Sequence, residues 1–275
     1  MNQINSWSDN LIDFLESSNE DQKIIDFFEE QVFPEILRYC KTKELNWLEI
    51  GAGDGVKTKG IIKSILNSAK FAKINLSICE PSIEWLIKLE NQKAFLKLRE
   101  QIDITFINQS MESLFCDYIQ TNYNFISLIQ VMYSPSIKKT LLSYLEKRKN
   151  SEHCLIWVDV EDEFNDFYKI RKLLQRKGIT TVQALGKELI TDLRLYGIKY
   201  KTFLVKEKLC YISREELLID NNHWVYPFVL GVSREEFGVI KEKSRNLVIE
   251  TVRSYVSERN LNVLDIPDRS ILIYV

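Results

Sequence analysis

Three glycines at alternate positions, Gly51, Gly53 and Gly55, are the residues of this chain best placed to do chemistry. They follow a short apolar run, Asn46-Trp47-Leu48-Glu49-Ile50, and lead into a segment whose apolar residues, Ile61, Ile62, Ile65 and Leu66, fall at helical spacing. A glycine has no Cβ to hold a ligand away from the backbone N–H groups, and a following helix adds the positive end of its dipole. Strand, glycine turn and helix together read as a nucleotide cradle. The spacing excludes two other cradles. A dinucleotide fingerprint, G-x-G-x-x-G, would put glycine where Val56 stands, and no Gly-Lys-Ser/Thr follows at the distance a P-loop needs. A second chemical group comes from Glu80-Pro81-Ser82, which ends the next apolar run, Ile74 to Cys79. A carboxylate about 20 residues or more beyond such a loop, at the carboxyl end of the second strand, is placed to accept hydrogen bonds from ribose hydroxyls. The ordinary alternative is a solvated strand-end glutamate.

The elements that must hold these groups follow from periodicity. Residues 7 to 40 read as helices, with Leu11, Ile12, Phe14 and Leu15, then Ile24, Ile25, Phe27, Phe28 and Val32 at helical spacing, and Ser18 to Asp21 as the cap between them. This arm precedes the nucleotide fold, where a lid over the open carboxyl edge of the sheet would bring Trp7, Phe14 and Glu20 to a substrate; the aromatic pair reads more readily as ordinary core. After Glu80 comes an amphipathic helix through Trp85, Leu86, Leu89, Phe95 and Leu98, then a strand over 102–107 that delivers Ser110 and Met111 to the ligand edge as adenine contacts. Tyr123 to Tyr133 reads as the central fourth strand, nearly all apolar, as a strand covered on both faces should be. Gln130 and Tyr133 at its tail either hold an acceptor or serve as local hydrogen-bonding residues. A fifth strand, His153 to Val160, runs into an acidic linker, Asp159 to Glu163. Phe164 and Tyr168 follow, four apart and so on one helical face, either walling a pocket or packing. A helix (186–196), a strand (199–207), a helical stretch from Arg214 to about Asn260 and a closing strand (270–275) complete the chain.

Composition removes several classes of function. The 275 residues are 45% hydrophobic with a formal net charge of −2, enough to bury a full core and without the basic excess of a nucleic-acid binder. Five single cysteines, with no C-x-x-C pair, suit reduced core thiols, and the two histidines, His153 and His223, show no metal-ligand spacing, so no metal is expected. The first residues lack a basic region followed by an apolar run, and no stretch reaches the length of a membrane span. A soluble, cytoplasmic protein without membrane or nucleic-acid partners is expected. No repeat or low-complexity linker divides it, which favours a single domain.

With its leading acid, the glycine turn Glu49-x-Gly51-x-Gly53-x-Gly55 resembles motif I of the class I S-adenosylmethionine-dependent methyltransferases. A narrower likeness rests on Phe14-Leu15-x-x-Ser18-x-Glu20-x-Gln22, Leu48-x-Ile50-Gly51-x-Gly53-x-Gly55, Glu80-Pro81-Ser82, Phe125-Ile126-x-x-Ile129-Gln130-x-x-Tyr133 and the aromatic segment from Trp224 to Phe228. In order and spacing these resemble the histamine N-methyltransferase family along almost the whole chain. The resemblance implies an α/β, Rossmann-like fold: a mostly parallel seven-stranded sheet with the last strand antiparallel, an N-terminal helical lid and a helical insertion before the final strand. Within one domain, 1–42 would be the lid, 43–160 the cofactor-binding core and 161–275 the acceptor-side half, with the insertion at about 213–262.

The resemblance also implies S-adenosyl-L-methionine as cofactor, held by Gly51, Gly53, Gly55, Glu80, Pro81, Ser82, Ser110, Met111, Ile129 and Gln130. Its acceptor would be a small amine or imidazole-like heterocycle, with Glu20, Gln130 and Tyr133 at the reacting nitrogen and Trp7, Phe14, Phe164, Tyr168 and Phe228 as walls. Two departures point away from histamine itself: the family's amide before the last strand falls on Ile266-Pro267-Asp268, and its paired tryptophans fall on Phe164 and Tyr168. Rival readings are an O- or C-methyltransferase of a small metabolite and a non-catalytic methyltransferase-like scaffold. An aminopropyl transferase would call for several acids around strand four, and Ile129-Gln130-Val131-Met132 has none.

Overall fold

Among the described residues the chain forms nine strands: β1 Glu44–Ile50, β2 Lys73–Cys79, β3 Asp103–Ile107, β4 Phe125–Ile129, β5 Leu155–Glu161, β6 Lys199–Val205, β7 Leu209–Tyr211, β8 Val263–Asp265 and β9 Asp268–Tyr274. They come from a computed structural model that describes residues 8–117, 123–131, 135–148, 154–181 and 186–275. The chain divides into a sheet unit (Ile24–Val160, Leu185–Leu204, Arg269–Val275) and a helical unit (Met1–Lys23, Glu161–Ala184, Val205–Asp268).

Seven strands form one sheet in the order β3-β2-β1-β4-β5-β9-β6. The pairs β1–β2, β2–β3, β1–β4 and β4–β5 are parallel. Beside β5 the chain turns antiparallel, with Cys154 and Val275 exchanging both backbone N–H···O bonds. The chain runs from β1 outward through β2 and β3, then returns to lay β4 on the other side of β1. That reversal opens a crevice at the carboxyl ends of β1 and β4, the usual ligand position in such sheets.

Burial on both faces explains the composition of the central strands. Every residue of β4 and β5 is buried, as are the last four of β1. Two large indoles fit because a neighbouring strand supplies a partner for each N–H. Trp47 Nε1 donates to Ser127 Oγ on β4 at 2.8 Å, and Trp157 Nε1 donates to Ser270 Oγ on β9 at 3.1 Å.

In the helical unit the stretch from 214 breaks into four helices, Arg214–Ile219, Val225–Leu230, Arg234–Val239 and Glu242–Glu258. One break is closed by Gly231, left-handed at φ 73°, and Ser233 then opens the next helix through a capping box with Glu236. The antiparallel pair β7–β8 was not expected from the sequence, since three-residue strands are too short to show a period. Of the acidic linker, Asp159, Glu161 and Asp162 are buried. Asp159 accepts a hydrogen bond from the Ser270 hydroxyl, Glu161 pairs with Arg171, and Asp162 Oδ1 accepts from the Phe164 N–H at 3.1 Å.

Asn19 ties the start of the Glu20–Phe27 helix to the backbone around Lys208. Its carbonyl accepts the first bond of the Glu20–Phe27 helix, from Lys23 N–H. Its side chain does not cap that helix; it accepts from Leu209 N–H at 2.7 Å and donates to Glu207 O at 3.0 Å.

Candidate functional site

The crevice edge of the sheet unit is built by the turns that follow β1, β2, β3 and β4. After β1, Gly51, Gly53 and Gly55 are left-handed, with φ of 72°, 56° and 73°. An L-residue would be strained at each, and the surroundings separate their roles. A Cβ at Gly51 would strike Val131 beyond β4, and one at Gly55 would strike Leu89 and Phe95. A Cβ at Gly53 would meet nothing within 4 Å. Gly51 and Gly55 are therefore held by packing, whereas Gly53 stands against open space at the middle of the turn. Gly55 starts the Val56–Ser68 helix, where Asp54 Oδ1 accepts from Val56 N–H at 3.0 Å.

Glu80 reaches this turn from the end of β2. Its Oε2 accepts from Gly53 N–H at 3.4 Å and its Oε1 from Ser82 N–H at 3.0 Å, so two amides aim the carboxylate. Burial raises its pKa, and the two amides pull the other way. Ser82 also caps the Ile83–Asn91 helix through Trp85 N–H. The Glu80–Pro81 turn is clamped by Asn108, whose Nδ2 donates to Glu80 O at 3.1 Å and Pro81 O at 3.2 Å. After β3, Ser110 Oγ accepts from Ser113 N–H at the head of the Met111–Asp117 helix, while Met111 is buried against Leu114 and Phe115. Ile129 ends β4 buried. Gln130 follows in a left-handed conformation, φ 58°, with its N–H on Asp159 O at 2.8 Å. A non-glycine residue held there is strained and marks the turn as one the fold over-determines.

Two residues beside this edge had no assigned role in the sequence reading. Glu49, on β1 before the glycines, accepts from Thr58 Oγ1 at 3.0 Å, and its Oε2 has no hydrogen-bond partner among the described residues. Burial pushes its carboxyl up to about 7. A charged residue inside an otherwise apolar strand was the available signal. Asn108 had none, since a strand-end asparagine is usual in turns.

The remaining candidates lie in the helical unit or outside the described residues. Phe14 stacks on Phe228, ring centroids 4.8 Å apart and planes 19° from parallel, with Phe167 and Trp224 around them in one buried cluster. The Arg171 guanidinium stands 5.9 Å from the Phe228 ring while it pairs with Glu161 and donates from Nε to Val229 O. Phe164 and Tyr168 do not share a helical face. Asn165 caps the Asp166–Arg176 helix by accepting from Phe167 N–H, which leaves Phe164 before the helix and 55% exposed. Tyr168 lies under Lys172. Glu20 opens its helix as a buried carboxylate beside Lys208, Nζ···Oε2 3.4 Å, and Lys208 also binds Asp268. Trp7 and Tyr133 lie outside the described residues.

Among the described residues, no group of three or more His, Cys, Asp or Glu is arranged to hold a metal ion, and no helix is long and apolar enough to cross a membrane. The strand order and the single antiparallel strand make this the Rossmann-like fold of the class I methyltransferases. A cyclopropane-fatty-acyl-phospholipid synthase-like protein from Lactobacillus casei superimposes with a TM-score of 0.53 at 10% identity, over 92% of this chain and 91% of that one. The plantazolicin methyltransferase BamL, solved with SAH and a triazolic desmethylPZN analog, gives 0.46 at 14% identity, over 97% and 90%. At such identities the likeness is one of fold. No protein-family model matches the chain, and no curated protein matches it in sequence.

Proposed function

We propose that this protein is an S-adenosyl-L-methionine-dependent methyltransferase that methylates a nitrogen of a small amine or imidazole-like heteroaromatic acceptor. The observation that supports the cofactor most directly is the pairing of the Gly53 amide with the Glu80 carboxylate at the point where strand order reverses. The donor set fits a nucleoside: a carboxylate aimed by two amides for the ribose hydroxyls, and a turn whose middle glycine faces open space. Gly51, Gly53, Gly55, Glu80, Pro81, Ser82, Ser110, Met111, Ile129 and Gln130 would hold the cofactor. S-adenosylmethionine bound there supplies a methyl group on a positively charged sulfur.

In the transition state for transfer the acceptor nitrogen would have to present an unprotonated lone pair in line with that methyl group. Charge is dispersed in that transition state, so the chain's task is to align the reactants and exclude water, worth up to about 7–11 kcal/mol. Gln130, held in its left-handed turn after β4, would orient the acceptor beside the cofactor.

The test has two arms. Calorimetry with S-adenosylhomocysteine should give saturable heat, and Glu80→Gln should weaken binding by roughly 10-fold or more, as loss of charge-assisted hydrogen bonds does. Transfer of labelled methyl to a panel of imidazoles, indoles, amines and catechols then reads the acceptor class. No heat from the wild type would refute the cofactor. Transfer confined to catechols would refute nitrogen as the acceptor atom.

A further inference from the structure

Glu49 is 3% exposed on β1, two residues ahead of Gly51. Its Oε1 accepts from Thr58 Oγ1 at 3.0 Å, and Thr58 is buried in the first turn of the Val56–Ser68 helix. The carboxyl therefore joins the strand before the glycine turn to the helix after it. Its other oxygen, Oε2, is buried with no hydrogen-bond partner among the described residues. The bond to Thr58 needs an oxygen, not an ionisable one.

The groups around Glu49 leave its proton free to respond to charge in the turn. Its partners in register are uncharged, Ile78 on β2 and Ser127 on β4. Lys57 on the helix favours the ionised form, against burial, which pushes the carboxyl up to about 7. The other acids of the cradle are engaged, Asp54 with Val56 N–H and Glu80 with Gly53 and Ser82 N–H.

We infer that Glu49 distinguishes the methyl donor from its demethylated product: a positive sulfur held in the turn draws Glu49 into its ionised form, so the donor binds with release of a proton to solvent and the product does not. This rests on the reading of Gly51, Gly53 and Gly55 as the cofactor's cradle. No contact is needed. A positive charge within about 4–6 Å lowers a carboxyl pKa by about 1–3 units, and a dry interior screens it weakly. Donor and product share the nucleoside and the amino-acid end, and differ by the methyl group and one positive charge. Glu80 would meet the same ribose in both, so a difference between the two ligands isolates the group that senses sulfur. With a neutral sulfur Glu49 takes its proton back, which weakens the hold of the turn on the product.

The experiment is calorimetry on the full chain at about pH 6.5, in two buffers of different ionisation heat, which counts the protons released on binding S-adenosylmethionine and S-adenosylhomocysteine. Wild type should release about 0.5–0.75 of a proton more with the donor. In Glu49→Gln that excess should vanish. A purely structural carboxyl would shift the melting temperature on substitution and give no excess in the wild type. Equal counts for the two ligands in the wild type, or an excess that survives in Glu49→Gln, overturn the inference. If Glu49→Gln does not fold, the wild type decides alone. Ionising Glu49 costs less as pH rises, so the preference for donor over product should grow about fivefold or more between about pH 5 and about pH 7, and a flat ratio overturns the inference equally. No heat from either ligand refutes the cofactor reading itself, whereas heat from both with equal counts leaves that reading standing.

Discussion

Replacing Glu49 with glutamine should change how stability depends on pH. Glu49 is 3% exposed on β1, with one hydrogen bond from Thr58 and one oxygen unpartnered among the described residues. Burial raises its pKa from 4.5 to about 7. Below about pH 4.5 both the folded and the unfolded chain keep this proton, and the raised pKa costs nothing. As pH rises from there toward 7, the unfolded chain releases the proton while the folded chain holds it, so stability falls. Above about pH 7 the folded protein carries the buried charge and the loss is complete. A difference of about 2.5 pH units at 1.36 kcal/mol each amounts to about 3 kcal/mol. Glutamine does not ionise, keeps an oxygen for Thr58, and adds a buried amide that costs about 1–3 kcal/mol at every pH. The offset between the proteins is thus uninformative and the slope decides. In urea denaturation of the cofactor-free proteins, the difference should move by about 2 kcal/mol in favour of Glu49→Gln between about pH 5 and about pH 7.5, then level off. Parallel stability curves would refute the assignment of a protonated carboxyl to β1.

Further substitutions test other parts of the structure. Gly53→Ala places a methyl group in open space at the cost of a left-handed alanine, about 1–2 kcal/mol, so it should fold and lose affinity for S-adenosylhomocysteine; unchanged affinity would remove Gly53 from the cradle. Gly55→Ala meets Leu89 and Phe95 as well, and its melting temperature should fall further than that of Gly53→Ala. Ser127→Ala strips the partner from the Trp47 indole and should cost about 1–3 kcal/mol in denaturation, less when combined with Trp47→Phe. Phe14→Ala should destabilise by about 3–5 kcal/mol if the stacked cluster is core; a loss under about 1 kcal/mol would show Phe14 to be dispensable for packing.

Much of the sheet unit was legible because its signals are local. Alternate glycines after an apolar run mark a turn that needs left-handed backbone, and all three glycines adopt it. A run such as Phe125-Ile126-Ser127-Leu128-Ile129 announces a strand buried on both faces, although Ser127 there serves an indole on the next strand. What was illegible depends on partners far along the chain. Asp159 and Glu161 look like a solvated linker until Ser270 and Arg171 are seen to hold them. Asn19 reads as a helix cap, but its side chain goes to the backbone around Lys208. Phe164 and Tyr168 fit a helical period, yet that period starts only after Asn165, and capping overrides spacing. Lys208 lies in a charged run that would ordinarily be solvent-facing, and only the fold brings two carboxylates to it.

The place of β9 has a consequence for how the protein is made. In the sheet it separates β5 from β6, and among the described residues β6 borders no other strand. The ribosome releases both of those strands before it reaches Asp268, with the whole 214–258 helical region still to come. Until then the nascent chain presents the open border of β5 and an unsupported β6, a template on which a second emerging copy can pair. Closure of the sheet therefore waits on the segment from Asp268 to Tyr274, and anything that delays its arrival prolongs the exposure.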